Sequence, residues 1–389
     1  MATSFWLDES KNLPTKNFDV AVIGAGISGL STCYWLMKRD PSLKIALIEK
    51  HRIAFGASGR NAGFITCGSV EHFNRLAERW GLEKANEIWQ FSEENLRLLE
   101  QEVVKGDTTL GFEKKGSFSL ASTETELNEL KKTAGFMRKC NIGVEELSAT
   151  DIQNRVGAVH FAGGIKYLSD ASVDPVKLCR KIFELVRENV TLFESTESYK
   201  IEQENGKVHI YTDRFNFHTD MVVLSLNGYS ANLDPYFADK IYPTRGQILM
   251  LEPVKKFMEG PCYANFVLDY FRQLPSGELL IGGFRQLEKE TEVGYSDHIT
   301  PKIQHSLFEF VQKYLPQFQA SKVTHRWAGV MGFSADGQPL VGSLPNNPQV
   351  FFVGGYTGHG IGLAFHSAKC VSDLIFGDDI PTFISAKRF

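Results

Sequence analysis

Three glycines and one carboxylate are spaced for phosphate and ribose chemistry. Gly24, Gly26 and Gly29 form a GxGxxG motif, and Glu49 stands twenty residues beyond Gly29. Gly24 permits a tight turn, Gly26 lets backbone approach a pyrophosphate, and Gly29 lets a helix sit close to a strand. Ile27, Ser28 and Gly29 would open that helix, whose unbonded N–H groups and partial positive charge favour an anion. Glu49 can accept hydrogen bonds from a ribose diol, and Lys50 follows it. The motif specifies a dinucleotide without choosing which one.

A GxGxxG carries weight only with the right elements around it. Here the apolar run 18–23 reads as a buried strand, the glycines follow, a run with helical spacing comes next, and the second apolar strand 44–49 ends on the acid. A second glycine-rich segment, Gly354 to Gly362, precedes the helical pattern 361–376 near the C-terminus. Another apolar strand, 221–226, ends at Asn227-Gly228. Glycine-rich turns after strands therefore recur far apart. One domain is expected to be built from separated pieces, with a sheet domain between them.

Other chemistries find no motif. The ten histidines form neither HExxH nor a close pair with a carboxylate, so no metal site is expected. There is no GxSxG nucleophile and no P-loop. The six cysteines are scattered without a CxxC, which fits free thiols in a reducing compartment. A chain of 389 residues with 43% hydrophobic content suits two globular domains. A net charge of -4 argues against nucleic acid or an anionic membrane as partner. Neither a secretory signal nor a membrane-spanning run is read, so the expected location is the cytoplasm. Residues 1–16 read as a loose arm, with Phe5 and Trp6 as surface anchors.

Between these landmarks the periodicity predicts a long helix over 71–104, broken at Gly81, and helices over 123–139, 174–188 and 302–314. Asp151 reads as a possible helix cap. Strands are predicted over 116–121, 163–168, 190–193, 241–251, 266–274, 278–284 and 350–353.

Six stretches in fixed order then carry a resemblance. They are 22–30, the loop Gly56-Ala57-Ser58-Gly59-Arg60-Asn61-Ala62-Gly63, Tyr242 to Gln247, Trp327-Ala328-Gly329, Asp336 to Gly342, and Gly355 to Gly360. Together they resemble the D-amino-acid-oxidase-like FAD oxidoreductases, a group that includes glycine, sarcosine and γ-glutamylputrescine oxidases. The loop at 57–61 and the Ser4-Phe5-Trp6 start look most like the last of these. The resemblance implies an α/β fold: a discontinuous Rossmann-like FAD domain (17–112, 150–232 and 323–389) and a mixed β-sheet substrate domain with helices (113–149 and 233–322).

It also implies FAD, held non-covalently, because the flavin-linking cysteine of sarcosine oxidase has no counterpart near Trp327 to Gly332. Gly358, His359, Gly360 and Ile361 would face the flavin ring. The loop Gly56 to Phe64, with Arg60 and Asn61, would pass the diphosphate and ring. Ser198, Asn227, Gly228 and Gly329 complete the expected cofactor set. The implied reaction oxidises the C–N bond of an amine or amino acid. Hydride passes to flavin N5, water hydrolyses the imine, and oxygen or another acceptor reoxidises the flavin. His359, Tyr270 and Arg245 are the catalytic candidates.

Tyr270, Arg272, Met331 and Tyr356 are the substrate candidates, with Phe64, Phe271, Trp327 and Phe333 as further aromatic lining. Two departures matter. Where glycine oxidase has an arginine that clamps the substrate carboxylate, this chain has Met331. Where sarcosine oxidase has a lysine, the strand 279–282 offers only leucine, isoleucine and glycine. So either Arg245 or Arg272 substitutes, or the substrate has no carboxylate near the flavin. A hydroxy-acid dehydrogenase and a non-catalytic flavoprotein remain the rival readings. No motif sets the oligomeric state.

Overall fold

The computed structural model describes residues 13–66, 70–265 and 268–389. Most of the arm at 1–16, with Ser4, Phe5 and Trp6, lies outside the described residues, as do Cys67 and the first two positions of the strand expected over 266–274.

The chain divides into two compact units. The first comprises Met1–Gly59, Pro175–Thr244 and Val330–Phe389, and the second Arg60–Asp174 and Arg245–Gly329. Both units are discontinuous in sequence, and several cuts fall elsewhere than the expected boundaries. Residues 60–112 and 150–174 pack in the second unit, not with the nucleotide strands. The reason is pairing and packing: Phe64–Ile65 pairs with Ala171–Ser172, and helix Val70–Trp80 packs on helix Glu124–Lys139. Residues 233–244 belong to the first unit and 323–329 to the second.

The first unit holds a six-stranded sheet. Its order is Leu340–Leu344, Asn347–Gly354, Met221–Leu224, Val20–Ile23, Ile45–Ile48, Val190–Phe193. All pairs are parallel except the first. The strands Val20–Ile23 and Ile45–Ile48 are 0–4% exposed, which is why they read as unbroken apolar runs. Helix Ile27–Arg39 packs against helix Gly360–Ile375, so the helices that follow the two glycine-rich segments lie side by side. A four-stranded sheet, Thr15–Asn17, Asn216–Thr219, Lys207–Thr212, Ser198–Glu204, completes this unit.

The second unit is built on an eight-stranded, largely antiparallel sheet. In order it contains Val323–Ser334, Ile241–Leu251, Leu279–Gly282, Asp269–Gln273, Cys262–Ala264, Ser117–Ala121, Gly163–Tyr167 and Val144–Ser148. Helix Pro301–Tyr314 contributes Ile303, Leu307, Phe310 and Val311 to a core shared with Phe118, Leu249, Phe271 and Ile281. The long helical stretch breaks at Gly81 (φ +84°) into Val70–Trp80 and Leu82–Leu99. Asp151 is not the cap: Ser148 caps helix Ala149–Val156, and Asp151 returns the bond in a capping box. Among the described residues no helix is long and apolar enough to cross a membrane.

Candidate functional site

In the first unit the glycine turn is closed by packing. Gly24 has φ +104°, and a Cβ there would stand 2.7 Å from Ser225 O. A Cβ on Gly29 would fall 1.8 Å from Gly24 O, so this position admits only glycine. The space beside Gly26 is taken by the Ser58 hydroxyl, which accepts a hydrogen bond from Ile27 N at 2.9 Å. Glu49 braces the turn, since its two carboxylate oxygens accept from Ala25 N and His51 N, each at 2.9 Å. Each oxygen retains lone-pair capacity for a diol.

Leu224 pairs with Ile23, which places Ser225 opposite Gly24. The Ser225 hydroxyl is buried and has no hydrogen-bond partner among the described residues. Such an orphan beside a glycine cradle fits a polar ligand. Lys50 instead pairs with Glu197 at the surface (2.8 Å). Ser195 N and Thr196 N bond to His51 O and Glu49 O, so the segment leading to Ser198 runs along the Glu49 end of the turn. Gly56 has nothing within 4 Å of a built Cβ.

The second glycine segment of this unit is organised by Asn227, which adopts φ +48°. Its Oδ1 accepts from Gly355 N at 2.9 Å. A Cβ on Gly332 would lie 2.3 Å from the same oxygen, and one on Gly228 would lie 2.9 Å from Met331 O. Thr357 takes φ +51°, an uncommon conformation for a β-branched residue. Its N–H bonds to Gly332 O at 2.9 Å, and its hydroxyl accepts from Ser334 N at 3.2 Å.

His359 Nδ1 lies 3.2 Å from Thr357 O. A carbonyl only accepts, so Nδ1 carries the proton and Nε2 is the acceptor of the neutral ring. Helix Gly360–Ile375 starts directly after. Met331 and Phe333, both half-buried on one face of their strand, flank this turn. Met331 Sδ and Phe333 Cζ each lie 3.9 Å from a Cβ built on Gly358.

In the second unit the loop from Arg60 to Phe64 is fastened throughout. Trp327 Nε1 donates to Arg60 O at 2.9 Å, and Arg60 Nη1 donates to Ala328 O at 3.0 Å and Asp297 at 2.6 Å. A Cβ on Gly329 would lie 3.0 Å from Arg60 Cβ. Asn61 Oδ1 accepts from Gly63 N at 2.7 Å. Gly63 O accepts from Val173 N (2.8 Å) and Arg272 Nη1 (3.0 Å).

Ala62 and Phe64 join Ile248, Leu280, Tyr270 and Trp327 in an apolar cluster. Tyr270 packs its ring over Gly282, where a Cβ would strike it at 2.5 Å. Desolvation pushes its phenol up to about 12, so it stays protonated near neutral pH.

Two expectations need correction. Arg245 is no substrate clamp: it is 2% exposed, and its Nε and Nη2 bond Glu292 at 3.0 Å each while Nη2 also reaches Thr291 O. Glu292 is 1% exposed and also accepts from Gln247, so this is a closed internal ion pair. Tyr356 does not present its hydroxyl to a substrate. It is 4% exposed and bonded to Ser28 Oγ at 2.8 Å, joining the two glycine segments of the first unit. Arg272 uses Nη1 on two backbone carbonyls, Gly63 O and Val173 O, within its own unit.

The sequence reading passed over Ser225 and Glu292. A serine directly after an apolar strand was the available sign of the first; nothing local marks the second. Among the described residues no group of three or more metal-ligand side chains is assembled.

Comparison with known proteins agrees with this architecture. The family model described as FAD dependent oxidoreductase, DAO, matches residues 19–374. The chain is 26% identical to the probable oxidoreductase OrdL of Haemophilus influenzae, over 93% of this chain and 83% of that one. It is 23% identical to the γ-glutamylputrescine oxidoreductase of Escherichia coli, over 92% and 84%. The crystal structure of glycine oxidase from Geobacillus kaustophilus superposes with a TM-score of 0.80 at 21% identity, covering 94% of this chain and 96% of that one. At that identity the likeness speaks for the fold, while the family model spans most of the chain. The protein is therefore a member of the DAO family of FAD-dependent oxidoreductases, with FAD as its cofactor.

Proposed function

We propose that this enzyme oxidises the C–N bond of an amine whose reacting carbon bears no carboxylate. The observation that carries the reading is that the thioether of Met331 and the phenyl of Phe333 each lie 3.9 Å from a Cβ built on Gly358, just before the last helix. A carboxylate set against those two groups would lose its hydration without gaining a cation. Arg245 cannot repair this, because Glu292 already holds it, and Arg272 Nη1 is taken by the carbonyls of Gly63 and Val173. Relatives named for γ-glutamylputrescine, glycine and sarcosine support C–N chemistry in general, since each of those compounds is an amine.

FAD, bound non-covalently, supplies the two-electron acceptor, and the resulting imine is hydrolysed by water. The chain's own part is to hold and orient. In the first unit Gly24, Gly26, Ile27, Ser28, Gly29, Glu49, Ser58 and Ser225 are assigned to the nucleotide half. Gly358 to Ile361 are assigned to the ring edge, where a helix N-terminus favours negative charge. His359 Nδ1 donates to Thr357 O, which fixes the imidazole at that turn. In the second unit the loop 60–64 and Tyr270 are assigned to ring and substrate, with Tyr270 as a hydrogen-bonding orienter and not a base.

Anaerobic mixing of the yellow protein with butylamine, N-acetylputrescine, norvaline and 2-hydroxypentanoate tests this. The two amines should bleach the flavin at least a hundredfold faster than norvaline. Bleaching by the hydroxy acid alone, or by no amine at all, would sink the reading.

A further inference from the structure

We propose that Tyr356 is a positioning residue for FAD: through its bond to Ser28 it fixes the separation between the turn assigned to the diphosphate and the turn assigned to the ring edge. This rests on those two assignments. Both turns and both side chains belong to the first unit.

The two turns begin two helices that lie side by side, Ile27–Arg39 and Gly360–Ile375. Neither helix has an acid in its first turn or a capping side chain at its N-cap, which is Gly26 in one and His359 in the other. Such ends suit an anionic ligand. Farther along, the helices are held by aromatic packing. Trp35 and Tyr34 pack on Phe365 with ring centroids 5.1 and 5.5 Å apart, and Trp35 Nε1 donates to Phe365 O at 2.9 Å. At the starting ends the contact is polar. The hydroxyls of Ser28 and Tyr356 share a hydrogen bond of 2.8 Å, at 5% and 4% exposure. The aromatic contacts hold the helices together without this bond, so the bond acts on the spacing of their starts.

Tyr356 is fastened on its other side to the ring-edge turn. Its carbonyl accepts from His359 N at 3.0 Å, its backbone bridges to Phe333, and the next residue, Thr357, bonds Gly332 O at 2.9 Å. The phenol therefore links the first turn of one helix to the segment that opens the other. Burial pushes its pKa up, so it stays protonated near neutral pH. FAD joins its diphosphate and its ring covalently, so both ends must be met at one separation. A preset separation costs less on binding than one that the cofactor has to impose. A ligand that fills only the diphosphate turn gains nothing from it. The tie therefore acts on FAD and not on ADP.

The test measures apoprotein affinity for FAD and for ADP in wild type, Tyr356→Phe, Ser28→Ala and the double variant, with thermal unfolding of each apoprotein. The ratio of FAD to ADP affinity should fall at least tenfold in each single variant and no further in the double, because the two hydroxyls form one tie. The double variant leaves neither hydroxyl unmatched, so its Tm should lie within about 2 °C of wild type. Should a single variant fail to fold, the double decides by its ratio. An unchanged ratio, additive falls, or equal weakening of FAD and ADP would overturn the proposal and leave the bond a packing contact. A fall in Tyr356→Phe alone would overturn it in favour of direct contact between the phenol and FAD. Gly358→Ala separates the proposal from the assignment beneath it. A side chain strains that left-handed turn (φ +89°), so the ratio should fall there too. An unchanged ratio in Gly358→Ala would overturn the ring-edge assignment and the proposal with it. A fall there beside an unchanged ratio in Tyr356→Phe would overturn the tie alone.

Discussion

Arg245 and Arg272 are both buried arginines, yet one faces a carboxylate and the other backbone carbonyls. Arg245 bonds Glu292 on two nitrogens, and Gln247 adds a further donor to the same carboxylate. Removing one partner of such a pair leaves the other charge buried and alone. Glu292→Gln should therefore cost about 3–5 kcal/mol in urea unfolding, without altering substrate preference. A change in preference at unchanged stability would return Arg245 to the substrate site. Met331 offers the converse experiment. Met331→Arg should create binding of simple amino-acid carboxylates, read as a perturbed flavin spectrum on titration with norvaline, which wild type should lack. Equal norvaline affinity in both proteins would contradict the assignment of this side chain to the reacting end. Met331 was visible in the sequence as a departure from its relatives. That Arg245 could not substitute was invisible there, because Glu292 is 47 residues away and no local pattern joins them.

The glycine-rich turns are decided one element up. Each lies between a parallel strand and a helix, and the helices they precede pack together. The spacing makes the glycines look alike, but their surroundings separate them. At Gly29 a Cβ would collide with Gly24 O at 1.8 Å, whereas at Gly56 it would meet open space. Gly29→Ala should cost more than about 4 kcal/mol or abolish folding, while Gly56→Ala should stay within about 0.5 kcal/mol. If Gly56→Ala nevertheless weakens FAD binding, the open space belongs to the cofactor. Thermal unfolding of the apoproteins beside FAD titration separates the two effects. The same logic explains Asn227. The sequence marks a turn at Asn227-Gly228, but its amide organises Gly332 and Gly355 because three strand ends converge there. Strand and helix positions were legible from periodicity, as with Ile241–Leu251 and Pro175–Val186. The cap at Ser148 was misread by three positions, since either member of a capping box satisfies the local pattern.

At the scale of the whole molecule, the response to acid should be set by carboxylates held in ion pairs. Hydrogen bonds from Arg155, then Lys166, hold Glu259 down at about 2 against an ordinary value near 4.5. Its stabilising contribution is therefore complete above pH 4.5 and is lost as the pH falls towards 2. With its partial exposure, that contribution is on the order of 2 kcal/mol. Glu259→Gln should lower stability at pH 7 and flatten the loss between pH 4.5 and 2. An unchanged acid limb in the variant would assign the effect elsewhere.

The sequence by itself determined the parallel nucleotide sheet, the two glycine turns and the discontinuous order of the chain. These rest on short-range facts: strand burial, helix spacing and glycine placement are written in consecutive residues. Only the tertiary structure decided which charged and polar side chains remain available. Arg245 is closed by Glu292, Tyr356 by Ser28, and Arg60 by Asp297 and Ala328 O, while Arg272 is left with carbonyls alone. A side chain's chemistry depends on the partner that reaches it first, and those partners come from distant segments. The boundary between the units was misplaced for the same reason. The short pair Phe64–Ile65 and Ala171–Ser172, more than a hundred residues apart, binds the loop at 60–66 into the second unit.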